Sequence, residues 1–496
     1  MKSVNAPPGA KRLIESLRNM GYEPSTAIAD LVDNSIAANA SEIHVEIFAQ
    51  QGSRPAAIVI ADNGRGMDRE GLHEAMRFGA FQEYAADDLG KYGLGLKTAS
   101  LSQCRTLTVS SKPQPSRDVR PRRHYARWDI DHVYKTDSWN LLAPDVQELT
   151  EWEVEALGHE VARDSGTVVL WSNLEEALPL LSTHDVHARE RFLAALIDEV
   201  SAHLRMVFHR FMQGAVTGHR KLNLYICGEK LAPWDPFCRD EKTKELDIVR
   251  LPVAYVTPED KERKDFVTIS PFVLPREDEF SSKERWKDAS GPRNWNQQQG
   301  FYFYRNNRLL QSGGWSRLRA VDEHMKLLRI AVDFSRDLDR SFSINITKMR
   351  ASIPAAIREQ IASQVTVWTK QARDRYDRTP SKSKAASSGD VVSVAADRKS
   401  TDTPPSVNVG PLSFVQSNAP GQALTVSETS KTGQLRVLVP RNHELAARFR
   451  PRSGEDGELR KLCLAALAVV EALFEKRMKV ERIPMAALRR AFHRYL

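Results

Sequence analysis

A strand that ends on a carboxylate restricts this chain more than any other feature. Ile58-Val-Ile60 runs through Ala61 into Asp62-Asn-Gly64-Arg-Gly66-Met67. Two glycines at alternate positions allow a close backbone approach that side chains would block. An ionised aspartate only accepts hydrogen bonds, so Asp62 suits a ligand that offers an amine. Taken alone, the same residues also fit a tight Asp-Asn-Gly turn.

The flanking pattern places this strand in an α/β sandwich. Alternating segments at 43–47, 57–61, 107–110, 125–130 and 167–171 read as strands. Residues 12–20 form a short amphipathic helix on Leu13, Ile14, Leu17 and Met20, stopped by Gly21. Ser25 or Thr26 caps a second helix running to about Ala40. Phe192, Leu196, Val200, Leu204, Val207, Phe208 and Phe211 mark a long helix over 184–212. A second α/β unit follows, with strand-like segments at 222–227, 266–274, 301–304, 329–334 and 342–347 and a helix after Pro354. Residues 377–432 are rich in Ser, Thr, Pro, Gly and Asp and read as a flexible linker. A strand at 434–440 and helices near 457–478 and 484–495 complete the pattern. The expected domains are therefore 1–221, 222–376, a linker over 377–432 and a small, mostly helical region over 433–496.

Three further elements carry chemistry. In the second helix Asp30 and Asn34 are four apart and stack on one face, opposite Ile28, Leu31, Val32, Ser35 and Ile36. A carboxylate and an amide converging there can share a metal ion and a water. Gly90-Lys91-Tyr92-Gly93-Leu94-Gly95-Leu96-Lys97 brings three glycines to a helix start. Exposed N–H groups there favour phosphate oxygens, and Lys97 adds charge. It lacks the Gly-Lys-Ser/Thr ending of a P-loop and does not follow a clear parallel strand as a Rossmann fingerprint does. Ser165-Gly166-Thr167 opens a strand, where a threonine hydroxyl can bond a base or a bridging water.

Composition narrows the class. The formal net charge is +8, from 72 basic and 64 acidic residues, which permits nucleic-acid contact without requiring it. The four cysteines, Cys104, Cys227, Cys238 and Cys463, form no CxxC pair, which fits a reducing compartment rather than a disulfide or zinc framework. The N-terminus lacks the apolar stretch of a signal peptide, and no segment reaches the length of a membrane span. A soluble cytoplasmic protein is expected.

In this order, the four motifs resemble the GHKL (Bergerat-fold) ATPases: DNA gyrase B, MutL, the heat-shock chaperones, histidine kinases and MORC proteins. The resemblance covers residues 12–175 and extends more loosely to about 355. The segments Ala29–Ile36, Gly90–Lys97 and Gly300–Arg308 look closest to the MutL and MORC branch, whose bacterial members are associated with restriction and anti-phage defence. The resemblance implies an α+β architecture: a Bergerat-fold ATPase sandwich, then a transducer-like α/β domain. It implies ATP and Mg2+ as cofactors. Asn34 matches the magnesium ligand and Asp62 the adenine-reading aspartate, with Gly64, Gly66 and Met67 beside the base. Gly90, Gly93 and Gly95 match the phosphate-lid glycines, with Lys91, Tyr92, Leu94, Leu96 and Lys97 among them. Thr167 matches the adenine-side threonine, and residues 68–89 the mobile lid. The general base of the family is usually Glu; here that position is Asp30, one methylene shorter, which implies slow turnover. Ser343–Arg350 looks like the transducer segment whose lysine reaches the γ-phosphate, making Lys348 the candidate.

The resulting expectation is an ATP-hydrolysing clamp that forms a homodimer on ATP binding and acts on DNA or with a DNA-processing partner. A chaperone-like ATPase acting on protein clients shares the same site, as does a non-hydrolysing nucleotide sensor. A histidine kinase fits poorly, since no phosphoacceptor helix precedes the domain. His184 and His187 form an HxxH that reads as a surface pair rather than a metal site. His203 and His209 pack or face solvent. Trp295, Tyr302, Tyr304 and Trp315 read as core, although aromatics near Arg305 and Arg308 can touch nucleic acid. The basic end at Arg489-Arg490 and Arg494 reads as a solvated helix terminus.

Overall fold

The computed structural model describes residues 8–19, 21–79, 95–115, 121–174, 178–257, 261–344 and 352–378, with four strands between 406 and 440. The chain divides into two units, Met1–Lys382 and Ser383–Leu496.

Within the first unit, helices α1 (Ala10–Arg18) and α2 (Pro24–Ala37) precede strands β1 (Glu42–Phe48) and β2 (Ala57–Asp62). Then come α3 (Arg69–Met76), α4 (Gly95–Leu101), β3 (Thr106–Lys112), β4 (His124–Asp129), α5 (Ile130–Thr136), α6 (Glu151–Leu157) and β5 (Gly166–Ser172). The long helix α7 (Val186–Val207) and short α8 (His209–Gln213) lead to β6 (Asn223–Ile226) and β7 (Glu229–Lys230). The seven strands form one sheet in the order β4-β3-β5-β2-β1-β6-β7. Each of the five segments predicted as strands between 43 and 171 is found, because alternation of apolar and polar residues suits a half-buried strand. β6 lies in residues assigned by sequence to the second unit, yet it pairs in parallel with β1, Glu42 opposite Asn223 and Val45 opposite Ile226. The first sheet therefore runs past the boundary expected at 221.

One face of this sheet carries the main core. Ile28, Leu31, Val32 and Ile36 of α2 pack with Ile43, Val45 and Ile47 of β1 and with Leu196, Val200 and Leu204 of α7. Each such side chain contributes roughly 1.5–3 kcal/mol when fully buried. The other face, on Ala57, Val59, Ala61, Val168 and Leu170, is covered by Leu149, Leu157 and Ala162. β2 is thus buried on both sides along its length. α2 begins one residue before the expected caps. Pro24 takes the first helical position, where its missing N–H is no loss. Ser25 and Thr26 are buried inside that turn, and the Ser25 hydroxyl donates to Glu199 of α7 at 2.9 Å.

The second sheet contains β8 (Lys244–Glu245), β9 (Val249–Val256), β10 (Glu262–Val273), β11 (Gly300–Arg305), β12 (Arg308–Ser312) and β13 (Leu328–Phe334). Its order is β12-β11-β13-β10-β8, with β9 alongside β10. Helices α9 (Lys283–Ala289), α10 (Trp295–Gln298) and α11 (Ala355–Tyr376) complete it, α11 burying Ile357, Ile361, Val365 and Trp368. β11 and β12 join through Asn306 and Asn307, both at positive φ, in a two-residue turn that sets Arg305 opposite Arg308. Residues 341–343 form a turn rather than the start of a strand over 342–347, and Lys348 lies outside the described residues.

The second unit has a four-stranded sheet: β14 (Ser406–Val409), β15 (Leu412–Ser417), β16 (Thr425–Thr429) and β17 (Gln434–Pro440), ordered β14-β15-β17-β16. Three of these strands fall in the stretch read as a linker. Val407 and Val409, and Leu412 and Phe414, alternate with small polar residues, a strand signal that the Ser/Thr/Pro content hides. The expected helices near 457–478 and 484–495, with Arg489, Arg490 and Arg494, lie outside the described residues.

Two histidines stay neutral in this fold. His209 of α8 is buried, with Nε2 2.9 Å from the Tyr304 hydroxyl of β11. Burial, which outweighs the attraction of Asp235, pushes its pKa down to about 3. An unfolded histidine with the usual pKa of 6.5 takes up a proton well above that point, so acid favours the unfolded chain and stability is lost as pH falls from about 6.5 toward 3. His209→Gln keeps a hydrogen-bonding group without the titration. Between pH 7 and pH 5 it is expected to lose ~2 kcal/mol less unfolding free energy than the unaltered chain, measured by chemical denaturation at the two pH values. An equal loss in both proteins disproves the assignment.

Candidate functional site

Asp62 stands at the end of β2 with three donors around it. Gly64 N–H and Thr167 N–H reach Oδ1 at 2.8 and 3.3 Å, and the Ser35 hydroxyl of α2 reaches Oδ2 at 2.8 Å. The carboxyl is 5% exposed. Burial raises its pKa, and the hydrogen bonds from Gly64, Ser35 and Thr167 pull the other way. These three donors take three of the roughly four acceptor sites of a carboxylate, which leaves room for one more hydrogen bond. Next to it, the Thr167 and Ser111 hydroxyls lie 2.9 Å apart, and Ser111 accepts from Met67 N–H at 2.8 Å.

The glycines serve close packing of backbone on backbone. Gly66 has φ +61°, and a Cβ there would stand 1.9 Å from the Lys112 carbonyl oxygen. Gly166 has φ +136°, and its Cβ would stand 1.9 Å from the Asp62 carbonyl oxygen. A Cβ on Gly64 would meet the Ala38 side chain at 2.8 Å. Gly64 and Gly66, expected beside a base, are thus also required by the protein's own chain.

Asp30 and Asn34 differ in environment. Asn34 is exposed. Asp30 is 3% exposed, so the helix face expected to be open is closed at this position. Tyr22 donates its hydroxyl to Asp30 Oδ2 at 3.2 Å. Burial and the neighbouring Asp30 charge push the Tyr22 phenol well above its usual value. From the second sheet, Arg308 of β12 brings Nη2 to 3.4 Å from Asp30 Oδ1 and Nε to 2.7 Å from Asp33 Oδ2. Burial opposes the guanidinium charge, but Asp33 and then Asp30 outweigh it and hold the Arg308 pKa above the ordinary value. His203 of α7 lies beside this group. Burial first, then the Arg308 charge, push its pKa down to about 4 against the pull of Asp33.

Asp33, Tyr22 and Arg308 escape a reading of the sequence. Asp33 sits three residues from Asp30, and an i,i+3 carboxylate pair was the available signal. Arg308 is 278 residues from Asp30, and no local pattern joins them. Arg305 and Arg308, considered for nucleic acid, are both buried in ion pairs, Arg305 with Asp339 at 2.7 Å. Tyr302, Tyr304 and Trp315 are core, while Trp295 is half-buried and stacks on Trp286 at 3.8 Å.

In the glycine-rich segment, Gly90, Lys91, Tyr92, Gly93 and Leu94 lie outside the described residues. α4 begins at Gly95. Leu96 packs on the main core, and Lys97 is buried and donates to the Ala75 carbonyl at 2.8 Å. Burial, partly offset by Glu74, lowers the Lys97 pKa to about 8. Part of the expected mobile lid is instead packed helix. α3 is capped by Asp68, buries Leu72 and Met76, and accepts a hydrogen bond from the Trp128 indole at the Met76 carbonyl, 2.9 Å away.

Among the described residues, His44, Glu46 and His159 bring metal-ligand atoms within 4.8 Å of one another. They lie on the sheet face away from α2, since His44 and Glu46 alternate with the core residues of β1. His44 already meets Glu42 at 2.8 Å and stacks on Tyr225, and His159 Nδ1 accepts from Val161 N–H at 3.2 Å. His184 and His187 are exposed.

The glycine geometry is testable without any ligand. Gly66→Ala and Gly166→Ala are each expected to lower stability by about 2–4 kcal/mol. Gly95→Ala, where a Cβ would meet nothing within 4 Å, is expected to change it by less than about 1 kcal/mol. Thermal unfolding of the three variants checks this ordering.

No curated protein matches the chain. A solved structure described as the N-terminal domain of a DNA repair protein aligns with 74% of this chain and 96% of its own, at 16% identity and a TM-score of 0.38. Among the described residues no helix is long and apolar enough to cross a membrane. Residues 22–167 match the family described as histidine kinase-, DNA gyrase B- and HSP90-like ATPase, and this match spans the site from Tyr22 to Thr167.

Proposed function

We propose that this chain binds ATP with Mg2+ through residues 22–167 and hydrolyses it slowly. The observation that carries this reading is Asp62: a buried carboxylate at a strand end, held by neutral donors alone and lying inside the matched ATPase region. In this reading Asp62 accepts the adenine amine, and Thr167 and Ser111 supply hydroxyls beside it. Asn34 holds Mg2+, which when bound offsets phosphate charge. Asp30 takes a proton from the attacking water. Gly90, Gly93 and Gly95 line the phosphates, and Lys348 reaches them from the second α/β domain; the resemblance of those segments to the family is the support for their roles.

ATP binding then pairs two copies through their N-terminal domains, and the clamp acts on DNA or with a DNA-processing partner, in a setting such as restriction or anti-phage defence. The net charge of +8 is compatible with DNA. A chaperone-like activity on protein clients is separated by which stimulates turnover, DNA or unfolded protein. A non-hydrolysing nucleotide sensor rests on Asp30, one methylene shorter than the usual Glu. Turnover with and without DNA, together with molecular mass in a non-hydrolysable analogue, tests the clamp. A monomer whose turnover ignores DNA rules it out.

Two substitutions separate binding from chemistry. Asp62→Asn is expected to weaken ATP binding by roughly ten- to hundredfold, or ~1.5–3 kcal/mol. It should leave the melting temperature unchanged or raised, because it removes a desolvated charge and the Ser35 hydroxyl can turn to the Leu31 carbonyl, 3.3 Å away. Calorimetric titration and thermal unfolding read both quantities. Asp30→Asn is expected to bind ATP and lose turnover by about 10²-fold or more; a wild-type rate in this variant removes Asp30 from the mechanism. Unchanged turnover in Lys348→Ala would remove Lys348 in the same way.

A further inference from the structure

We propose that Arg308 is a positioning residue for Asp30, so that the second α/β domain sets the direction of the hydrolytic base. This rests on the reading of Asp30 as that base. Arg308 follows the two-residue turn between β11 and β12, and that turn is itself fixed against the first sheet's helices. Arg210 of α8 donates to Asn307 Oδ1 at 3.2 Å and pairs with Asp333 of β13. The Arg308 guanidinium also lies 5.8 Å from the Phe208 ring centre, between α7 and α8. Its position is therefore determined before Asp30 is considered.

Asp33 then anchors it. The 2.7 Å contact at Nε is short, while the Nη2 contact to Asp30 is 3.4 Å. The cation thus faces Asp30 without closing on it. Tyr22 approaches the other oxygen at 3.2 Å. Two groups from different parts of the chain fix the plane of one carboxylate, and the nearby positive charge favours its ionised, proton-accepting form. An apolar contact would hold the two domains together without the cost of desolvating three charges. What the ion pair adds is direction. The shorter side chain of Asp30, one methylene less than the usual glutamate, makes orientation the harder requirement.

The test uses the full chain and Arg308→Lys, Asp33→Asn, Tyr22→Phe and Asp30→Asn. Arg308→Lys keeps a cation but loses the fork that spans two carboxylates. Asp33→Asn keeps the volume and removes the anchoring charge, and serves if the arginine variant does not fold. Thermal unfolding and the affinity for ATP with Mg2+ are measured beside kcat. The expected result is affinity within about threefold of wild type, with kcat at least about tenfold lower in Arg308→Lys and Asp33→Asn. The acid limb of the kcat–pH profile should move to higher pH in Arg308→Lys, because a displaced cation stabilises ionised Asp30 less. Among the described residues, the titratable and charged groups facing Asp30 include Tyr22, Asp33 and Arg308, with His203 of α7 beside Arg308 and Asp33. Tyr22→Phe should lower kcat less and leave the limb in place. Unchanged or raised kcat with an unmoved limb in folded Arg308→Lys and Asp33→Asn overturns the proposal while Asp30 stands. Wild-type turnover in Asp30→Asn, or no turnover in the wild type, overturns the base reading and the proposal with it.

Discussion

A buried guanidinium organises the first 378 residues. Arg308 has two carboxylates for partners, and both come from a single helix, α2. A charge removed from water is tolerated only when it is paired and hydrogen-bonded. That requirement ties α2 to β12, while the apolar face of Ile28, Leu31, Val32 and Ile36 docks the helix on the first sheet. It also explains the turn at Asn306 and Asn307. Only a two-residue connection with positive φ at both positions returns the chain at once, so that Arg305 and Arg308 stand side by side. Each then finds its own acid, Asp339 in the turn after β13 and the Asp30–Asp33 pair of α2. Taking away one member of such a group leaves a buried charge, at about 3–5 kcal/mol.

The site shows two kinds of constraint on neighbouring residues. Gly66 and Gly166 are set by geometry, because backbone occupies the space a side chain would need. Asp62 is set by chemistry. Nothing in the packing demands a charge there, and burial disfavours it. Its hydrogen bonds from Gly64, Ser35 and Thr167 offset part of that cost. Lys97 is the reverse case. Its charge, expected at phosphate, lies against the Ala75 carbonyl between α4 and α3.

How much could be read from the residues follows from the range of each interaction. Strands β1 to β5 were legible because alternation is local, and Asp62 because a carboxylate and two glycines follow the strand directly. The open helix face that spacing assigned jointly to Asp30 and Asn34 is not found, since Asp30 is buried against neighbouring elements while Asn34 is exposed. Arg308 was not legible, since it meets α2 across nearly 280 residues of chain. The helix in the expected lid was obscured by acidic and polar residues around Leu72 and Met76, which alone supply its buried face. The strands at 406–417 and 425–429 were masked by composition, with valine, leucine and phenylalanine spaced among serines and threonines. β6 was visible as a strand but not as a member of the first sheet, because α7 intervenes between it and its partner.

The parallel pairing of β6 with β1 has a practical meaning for anyone dividing this protein. A fragment ending at residue 221 would keep every residue of the Asp62 cluster and look complete by sequence. It would nevertheless strip β1 of its neighbour along Glu42–Val45 and leave that row of N–H and C=O groups unpaired. An open edge of this kind recruits other strands, and self-association through it would imitate dimerisation. A fragment reaching Lys230 closes the edge but still removes Arg308 from Asp30 and Asp33. Because β11 and β10 in turn need β13, and the second core needs α11, a faithful piece of this molecule extends through α11.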